Sequence, residues 1–298
     1  MDANTQTKNE AMGKPVADGW LGKIVLIAFV LAGLPFSSHG KLTNERKLLR
    51  HFDRIEVRGS INVFVVQEDR LRQATIYADE SQIEAVVTEV RGRTLVIEAD
   101  NVGRYAPRLP FIRIEFKAIQ PVEVIVSAKE LQGVTLVGEG GFTGTNLLAK
   151  TFRIFSAGVG KIHLENLTAD EVEVRMESDG DVTLKGGVVK RLQVNLSGKG
   201  SLQAIDLPAL RTEVTISGQG NASVRAENWL EAKLSGSGNL RYLGRPVNVF
   251  VQADQEGQVQ RMDPADEEEN SNIPSKDQNT DLPPKAKVKP ALPKEQKQ

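Results

Sequence analysis

Apolar and polar residues alternate along most of the chain between residues 52 and 255, a pattern typical of β-strands with one buried face. In the first half of this stretch the predicted strands are irregularly spaced. They cover residues 54–58, 61–66, 74–77, 86–90, 94–98, 111–116 and 122–126, and a helical turn is expected at 80–85. Because no low-complexity linker divides the stretch, we expect one continuous all-β domain.

The second half, residues 131–255, contains a repeat marked by pairs of glycines. The second glycine of the pair falls at positions 140, 160, 180, 200 and 220, and then at position 238. Ser178 replaces the first glycine in one pair. The glycines at these corners are Gly138, Gly140, Gly158, Gly160, Gly180, Gly198, Gly200, Gly218, Gly220, Gly236 and Gly238. A fixed period of this length indicates stacked units that each contact their neighbours.

Each unit combines strand patterning with tight corners. Leu192, Val194 and Leu196 alternate with Gln193 and Asn195 before one glycine pair, and shorter alternating runs follow each pair. A further corner follows each of these shorter runs. Two or three short strands in each period describe one coil of a parallel β-helix, in which glycine suits sharp bends or positive φ. A β-sandwich is the competing fold, but antiparallel hairpins would not need the same glycine pair in every unit.

The predicted fold is therefore all-β: a parallel β-helix-like stack of about 20-residue coils, preceded by a less regular β-rich half at residues 52–130. Residues 41–51 are expected to form a linker. Residues 24–34 are an unbroken apolar run followed by Ser37, Ser38 and Gly40, which fits either a cleaved secretory signal or a signal-anchor within residues 1–40. Either way the body of the chain is exported.

The C-terminal segment, residues 256–298, is predicted to be a disordered tail. From residue 263 onward it holds 6 of the 13 prolines, with eight acidic residues and six lysines. Such a composition cannot bury enough apolar surface to offset the entropy of ordering. The lysine and proline residues at its end are read either as a tether to an anionic envelope surface or as a solvated spacer.

Composition excludes several classes of protein. The 298 residues carry 38 Lys and Arg against 39 Asp and Glu, a formal net charge of −1, which argues against a nucleic-acid binder. The chain has no cysteine, so it has no disulfide framework, thiol nucleophile or cysteine-ligated metal. With three histidines, a histidine-rich metal centre is not expected either. We therefore expect no cofactor and no metal.

Beyond these patterns, the chain resembles the head GIN domain family, described as auto-transporter adhesin heads of bacterial envelope proteins. The resemblance begins at residues 52–59 (FDRIEVRG) and Ser60-Ile-Asn-Val63, and continues through residues 78–90 and 94–97 into the Ser-Gly-x-Gly repeats. It covers about residues 52–255. It implies a secreted or envelope-bound all-β domain with a β-helical stack, and it supplies no catalytic residues. The corner Ser178-Asp-Gly-Asp181 departs from the family pattern, and no barrel-like segment follows the repeats.

One outward column is a candidate ligand surface. Ser201, Asn221 and Asn239 occupy equivalent positions in successive units, and evenly spaced hydroxyls and amides can track a repeating glycan. The alternative is a ladder of corner side chains that bond to one another. Trp229 is a second candidate, either for stacking on a sugar ring or for packing at the edge of a coil.

Acidic and histidine positions are weaker candidates. Asp179 and Asp181 flank Gly180, where they would bind a small cation or a sugar hydroxyl, or else accept hydrogen bonds within the turn. His163 projects outward between Ile162 and Leu164 without a catalytic partner in the sequence pattern. No catalytic residue is predicted.

These observations predict an exported, non-enzymatic envelope or surface protein whose rigid β-helical surface serves adhesion or binds an envelope component, either a glycan or another protein. Its expected location is the periplasm, the outer envelope, or the membrane, which it would contact only through an uncleaved N-terminal segment. The alternatives are a polysaccharide-active β-helix enzyme, which needs clustered carboxylates, and an envelope-stress or assembly scaffold.

Overall fold

The structure is a computed structural model that describes residues 42–68, 72–80, 82–99, 121–254 and 256–262. The N-terminal segment at 1–40, the predicted strand at 111–116 and the tail from residue 263 lie outside the described residues. From Thr43 onward the described residues lie in one compact unit. Among the described residues, no helix has both the length and the apolar character needed to cross a membrane.

Seventeen strands and one short 3-10 turn, Ile83–Ala85, make up the described structure. The strands are β1 (Leu42–Leu48), β2 (Arg54–Gly59), β3 (Ile61–Gln67), β4 (Gln73–Asp79), β5 (Val86–Arg91), β6 (Thr94–Ala99), β7 (Val122–Ala128), β8 (Gly133–Val137), β9 (Gly141–Thr145), β10 (Leu148–Ser156), β11 (Lys161–Met176), β12 (Asp181–Leu196), β13 (Ser201–Ile216), β14 (Asn221–Leu234), β15 (Asn239–Leu243), β16 (Asn248–Ala253) and β17 (Gln258–Arg261). The all-β prediction is confirmed.

The repeats form a parallel β-solenoid with one coil for each period of the glycine pair, which confirms the predicted β-helix and excludes the sandwich. Adjacent long strands pair in parallel with a constant offset, so that Lys161 lies beside Asp181 and Asp181 beside Ser201. Toward the C-terminal end the offset shortens, and Asn221 lies beside Asn239. The shortening begins where the pairing of β13 with β14 shifts in register near Pro208.

Each full coil has three sides. Pairing between β11 and β12 skips residues 166 and 170, and the alternation of buried and exposed residues breaks at the same two places. In this coil we name residues 161–165 side A, residues 167–169 side B and residues 171–176 side C, with equivalent residues of other coils on the same sides. Asn166 turns the first of these corners with φ of 54°.

Apolar residues from all three sides meet in one continuous core. Leu164, Leu167 and Val172 are all buried at 1% exposure or less, and the equivalent residues of other coils stack on them. Burial of these columns supplies the main driving force for folding. Each coil encloses only a thin layer of the core, so its stability depends on the coils on either side.

The glycine corners allow consecutive coils to approach closely. A Cβ built on Gly200 would lie 2.1 Å from the carbonyl oxygen of Gly180, and one on Gly158 would lie 2.1 Å from that of Gly138. Of the eleven corner glycines, Gly138 alone has a positive φ in the structure. Positive φ or a sharp bend was expected to explain these glycines, but the physical reason at most corners is contact with the preceding coil.

The N-terminal half joins the same stack, but its coils are not in chain order. Strands β2 and β3 form a coil that pairs on one side with β8 and β9 and on the other with β6 and β7. Strands β6 and β7 thus form a coil on one side of the first coil, and the repeats extend from its other side. Strands β4 and β5 pair antiparallel with β7 and β6, which explains the irregular spacing seen in the sequence.

Two predicted boundaries differ from the structure. Residues 41–51, expected as a linker, contain strand β1, which pairs with β4. The solenoid also continues past the expected boundary at residue 255, because β17 pairs with β15. Neither β1 nor β17 contains the glycine pair of the repeats, and β1 carries three consecutive charged residues. The sequence pattern therefore did not predict either strand.

Substitution of a corner glycine should destabilise the whole stack. For Gly200→Ala we expect a loss of about 2–3 kcal/mol, because the added methyl group would overlap the backbone of the preceding coil. In thermal unfolding this corresponds to a decrease in Tm of roughly 5–10 °C. Lys199→Ala is the control, since Lys199 lies in the same corner. Equal melting of the two variants would contradict the role given to the glycine.

Candidate functional site

Side A carries two outward columns that cross the C-terminal coils. Ser201, Asn221 and Asn239 lie in register in one column, as the sequence spacing predicted. Gln203 and Ser223 lie beside them in the second column, which His163 and its neighbours begin in earlier coils. Parallel strands hold equivalent side chains about 4.8 Å apart, so the columns present a regular array of polar groups.

The first column is linked internally by hydrogen bonds. The side-chain amide of Asn239 donates to the Oδ1 atom of Asn221 at 3.0 Å, and its backbone N–H donates to the same oxygen at 3.3 Å. Nε2 of Gln203 donates to the hydroxyl of Ser201 at 3.1 Å. The contact between Asn239 and Asn221 joins successive coils and is the kind of ladder contact expected in the alternative interpretation, whereas Gln203 and Ser201 lie on one strand. These hydrogen bonds fix the side chains and leave further donors and acceptors directed outward.

The two columns border a groove of about 350 Å³. Its polar lining consists of Ser201, Gln203, Asn221, Ser223, Asn239, Arg241, Gln258 and Gln260. The groove crosses four strands, from β13 to β17, and its described lining contains one cation and no carboxylate. All three residues of the predicted column therefore lie in one concave surface, although their role in binding a ligand stays a prediction.

Five polar residues of this groove were not predicted as ligand residues from the sequence: Gln203, Ser223, Arg241, Gln258 and Gln260. Arg241 stacks on Ser223 and Gln260 on Arg241, so they continue the second column. Because the offsets between these last strands are shorter than the repeat period, the glycine spacing did not predict the positions of Arg241 and Gln260. The signal for the two glutamines of β17 is the short alternation Gln258-Val259-Gln260, with one apolar residue between two amides.

Trp229, the other predicted ligand residue, lies on side C and is separate from the groove. Its ring centroid lies 4.8 Å from that of Phe250, and the guanidinium carbon of Arg211 lies 4.7 Å from its centroid. The indole nitrogen is buried and makes no hydrogen bond among the described residues. These contacts favour packing at the edge of a coil, as in a tilted aromatic pair with a cation over the ring.

Side C differs from side A in being covered by paired charges. Arg153 pairs with Glu173, and Lys233 pairs with Glu231 on the same side. Nη2 of Arg191 donates to both carboxylate oxygens of Glu213, at 2.8 and 3.1 Å, and Arg211 donates to Oε1 of the same carboxylate. Since these charges satisfy one another, side C offers few free groups to a ligand.

Glu213 lies between two arginines on side C. Partial burial would by itself raise the pKa of its carboxyl group, but hydrogen bonds and charge attraction from Arg191 and Arg211 outweigh that effect and lower the pKa. The side chain is 18% exposed. The carboxylate is thus held ionised between two arginines.

The acidic corner and the histidine have local structural partners. Oδ1 of Asp179 accepts a hydrogen bond from the backbone N–H of Lys199 in the next coil, at 3.3 Å. Nε2 of His163 lies 3.0 Å from Oε1 of Glu165, a partner two residues along the same strand face that the sequence analysis did not identify. Among the described residues, no group of three or more His, Asp or Glu side chains converges as a metal site.

Comparison with known protein families gives one match over most of the solenoid. A family described as "Putative auto-transporter adhesin, head GIN domain" matches residues 51–246. The chain belongs to the head GIN domain family. The resemblance noted in the sequence is thereby confirmed, and the match ends near the last regular coil, before β16. No curated protein gives a significant match.

Solved structures share this head GIN fold. A "putative adhesin" from Bacteroides fragilis is 21% identical, with a TM-score of 0.67, and the match covers 74% of this chain and 97% of that one. A "putative lipid binding protein" from Parabacteroides distasonis is 24% identical with a TM-score of 0.57, covering 76% and 98%. A "putative adhesin" from the same species is 20% identical with a TM-score of 0.55, covering 75% and 98%. At these identities the similarity establishes the fold.

The charge ladder on side C predicts a pH-dependent contribution from Glu213. Because its folded pKa is lowered, its stabilising effect is present above the unfolded pKa and is lost as the pH falls through the folded pKa. Glu213→Gln should therefore cost about 1 kcal/mol in unfolding free energy at pH 7, and the difference from the native chain should shrink in acid. Denaturant unfolding across pH measures both values.

The control for this prediction is Glu173→Gln. Glu173 lies in the same outward column, but its carboxylate is 41% exposed and pairs with one arginine at 3.3 Å. Its substitution should change stability by less than about 0.5 kcal/mol. A Glu213→Gln penalty that is constant from pH 7 to strong acid would show that packing, rather than the two arginines, accounts for the effect.

Proposed function

We propose that this head GIN protein is a non-enzymatic adhesin that binds a hydroxyl-rich glycan chain of an envelope or cell surface through the groove on side A. Its membership of the family supports an exported surface or envelope protein with an adhesin-like role, and neighbours of the same fold are described as putative adhesins. Beyond that role, we propose a glycan as the ligand and side A as the binding face.

The observation that carries the proposal is the composition of the groove. Eight polar side chains from four successive strands line it, and seven of them are uncharged hydroxyls or amides. Such groups both donate and accept hydrogen bonds, which matches the alternating donors and acceptors of sugar hydroxyls. The regular spacing of the strands repeats similar contacts along the groove, so that weak individual contacts add up through multivalency.

Rigidity supports the same interpretation. Hydrogen bonds between Asn239 and Asn221, and between Gln203 and Ser201, hold the amides before a ligand arrives. Binding therefore costs less side-chain entropy than it would on a mobile loop. Arg241 adds a guanidinium group, whose N–H groups donate to a hydroxyl or to a carboxylate of an acidic sugar.

The composition of the groove also favours binding over hydrolysis. Glycoside hydrolysis needs two carboxyl groups across the scissile bond, and the described lining of the groove contains none. The acidic side chains of side C are paired with arginine or lysine. This supports a binding role over the polysaccharide-active alternative.

The test is binding of the full chain, extracted in mild detergent, to a panel of neutral and acidic polysaccharides. The double variant Gln203→Ala with Gln260→Ala removes two amides from the groove. Because each lost hydrogen bond costs about 1 kcal/mol, we expect affinity for the bound polysaccharide to fall tenfold or more. Arg241→Ala should weaken binding most for acidic polysaccharides if a sugar carboxylate is involved.

A matched control removes two amides from side C, in the variant Gln193→Ala with Asn195→Ala. Both residues point outward from β12 and lie outside the groove. This control should bind as the native chain does. Equal loss in both double variants, or release of new reducing ends from any polysaccharide in the panel, would refute the proposal.

A further inference from the structure

The last coil of the stack ends in an open edge formed by β16 and β17. Within the described residues β16 pairs with β14 alone, and β17 pairs with β15 alone. The outer backbone N–H and C=O groups of these strands therefore have no strand beside them in that part of the chain. An open edge of this kind is a template for pairing with another strand.

Core positions are exposed at this edge. Val249 and Val251 stack on Leu230 and Ala232, which are fully buried, yet the two valines are 44% and 47% exposed. Phe250, on the outer face between them, is 52% exposed. Terminal coils of repeat proteins normally present a polar outer layer. Here the interior of the solenoid continues to its end without such a layer among the described residues.

Within this edge, strand β16 also lacks the charges that usually prevent strand pairing. Residues 248–253 read Asn-Val-Phe-Val-Gln-Ala, without a charged residue or a proline. The outer strands at the opposite end differ: β1 contains Glu45, Arg46 and Lys47, and β5 contains the ion pair between Glu89 and Arg91. Charged edge strands resist pairing. The C-terminal edge is therefore the end of the stack suited to association.

The residues that follow this edge in the chain are poorly suited to pair with it. Residues 263–298 begin directly after this edge and are the nearest chain outside the described structure. They contain six prolines, which cannot donate to a ladder, and 14 charged residues among 36. The uncharged strand β16, with its valines and phenylalanine, would gain little from such a segment.

We propose that this edge pairs with the same edge of a second copy of the chain, joining two solenoids end to end about a two-fold axis. In an antiparallel pairing centred on Phe250, Val249 of each copy lies opposite Val251 of the other. The two Phe250 side chains face each other, and Asn248 lies opposite Gln252. Every cross-strand pair is apolar with apolar or amide with amide, and no like charges meet, so the edge is self-complementary.

A first test is the mass of the full chain in mild detergent, measured by light scattering. The native chain should be a dimer, and Val251→Lys should make it monomeric while leaving it folded by circular dichroism, because Val251 is half exposed. Leu210→Lys is the control: Leu210 is similarly exposed at a corner of another coil, and its variant should remain a dimer. A monomeric native chain, or a dimer unaffected by Val251→Lys, would overturn the proposal.

The absence of native cysteine allows the register to be tested by crosslinking in cells that express the full chain. Phe250→Cys should form a disulfide-linked dimer under mild oxidation, and Leu210→Cys should not. Asn248→Cys should crosslink to a co-expressed Gln252→Cys chain more readily than to itself. Equal crosslinking at positions 210 and 250, or preferential self-crosslinking of Asn248→Cys, contradicts the antiparallel pairing.

Truncation after Met262 separates the second copy from the chain's own tail as occupant. If the second copy covers the edge, the truncated chain should crosslink through Phe250→Cys as the full chain does. A chain that dimerises through this edge only after truncation would show that residues 263–298 occupy it, and the proposal would fail.

Discussion

The structure depends on close contact between the backbones of successive coils at one corner. Where Gly180, Gly200 and Gly220 stack, a methyl group on any of them would lie within 2.5 Å of the preceding carbonyl oxygen. Glycine at these positions lets the strands on either side reach hydrogen-bonding distance and lets the apolar columns meet inside. The parallel register and the continuous core depend on that contact.

With the interior fixed by stacking, the outward positions are free to differ from side to side. Side C uses them for stability, since carboxylates such as Glu213 are shared between arginines of neighbouring coils. On side A, the described lining of the groove carries hydroxyls and amides with one arginine instead. The same repeat therefore supports a self-satisfied surface on one side and a surface with free hydrogen-bonding groups on another, which is why the groove is the place where a ligand would bind.

The sequence was informative wherever spacing repeated, and less so where it did not. The glycine period predicted the solenoid and placed Ser201, Asn221 and Asn239 in one column, because parallel stacking converts equal spacing into contact. It did not reveal the insertion of a coil below the first one, since that depends on pairings between distant strands. Nor did it find Gln258 and Gln260, where the offset changes, or the position of Trp229 on another side.

The outermost strands differ between the two ends of the solenoid. At the N-terminal end, antiparallel strands turn back along the stack, and the outer strands β1 and β5 carry ion pairs that keep their edges in water. At the C-terminal end the parallel stacking continues to β16 and β17, with valines in core positions and no charge on β16. The groove on side A reaches this open edge, because β17 contributes Gln258 and Gln260 to its lining. An end-to-end pair would therefore bring two such grooves close to one junction, and a long polymer bound across both would gain affinity from their proximity.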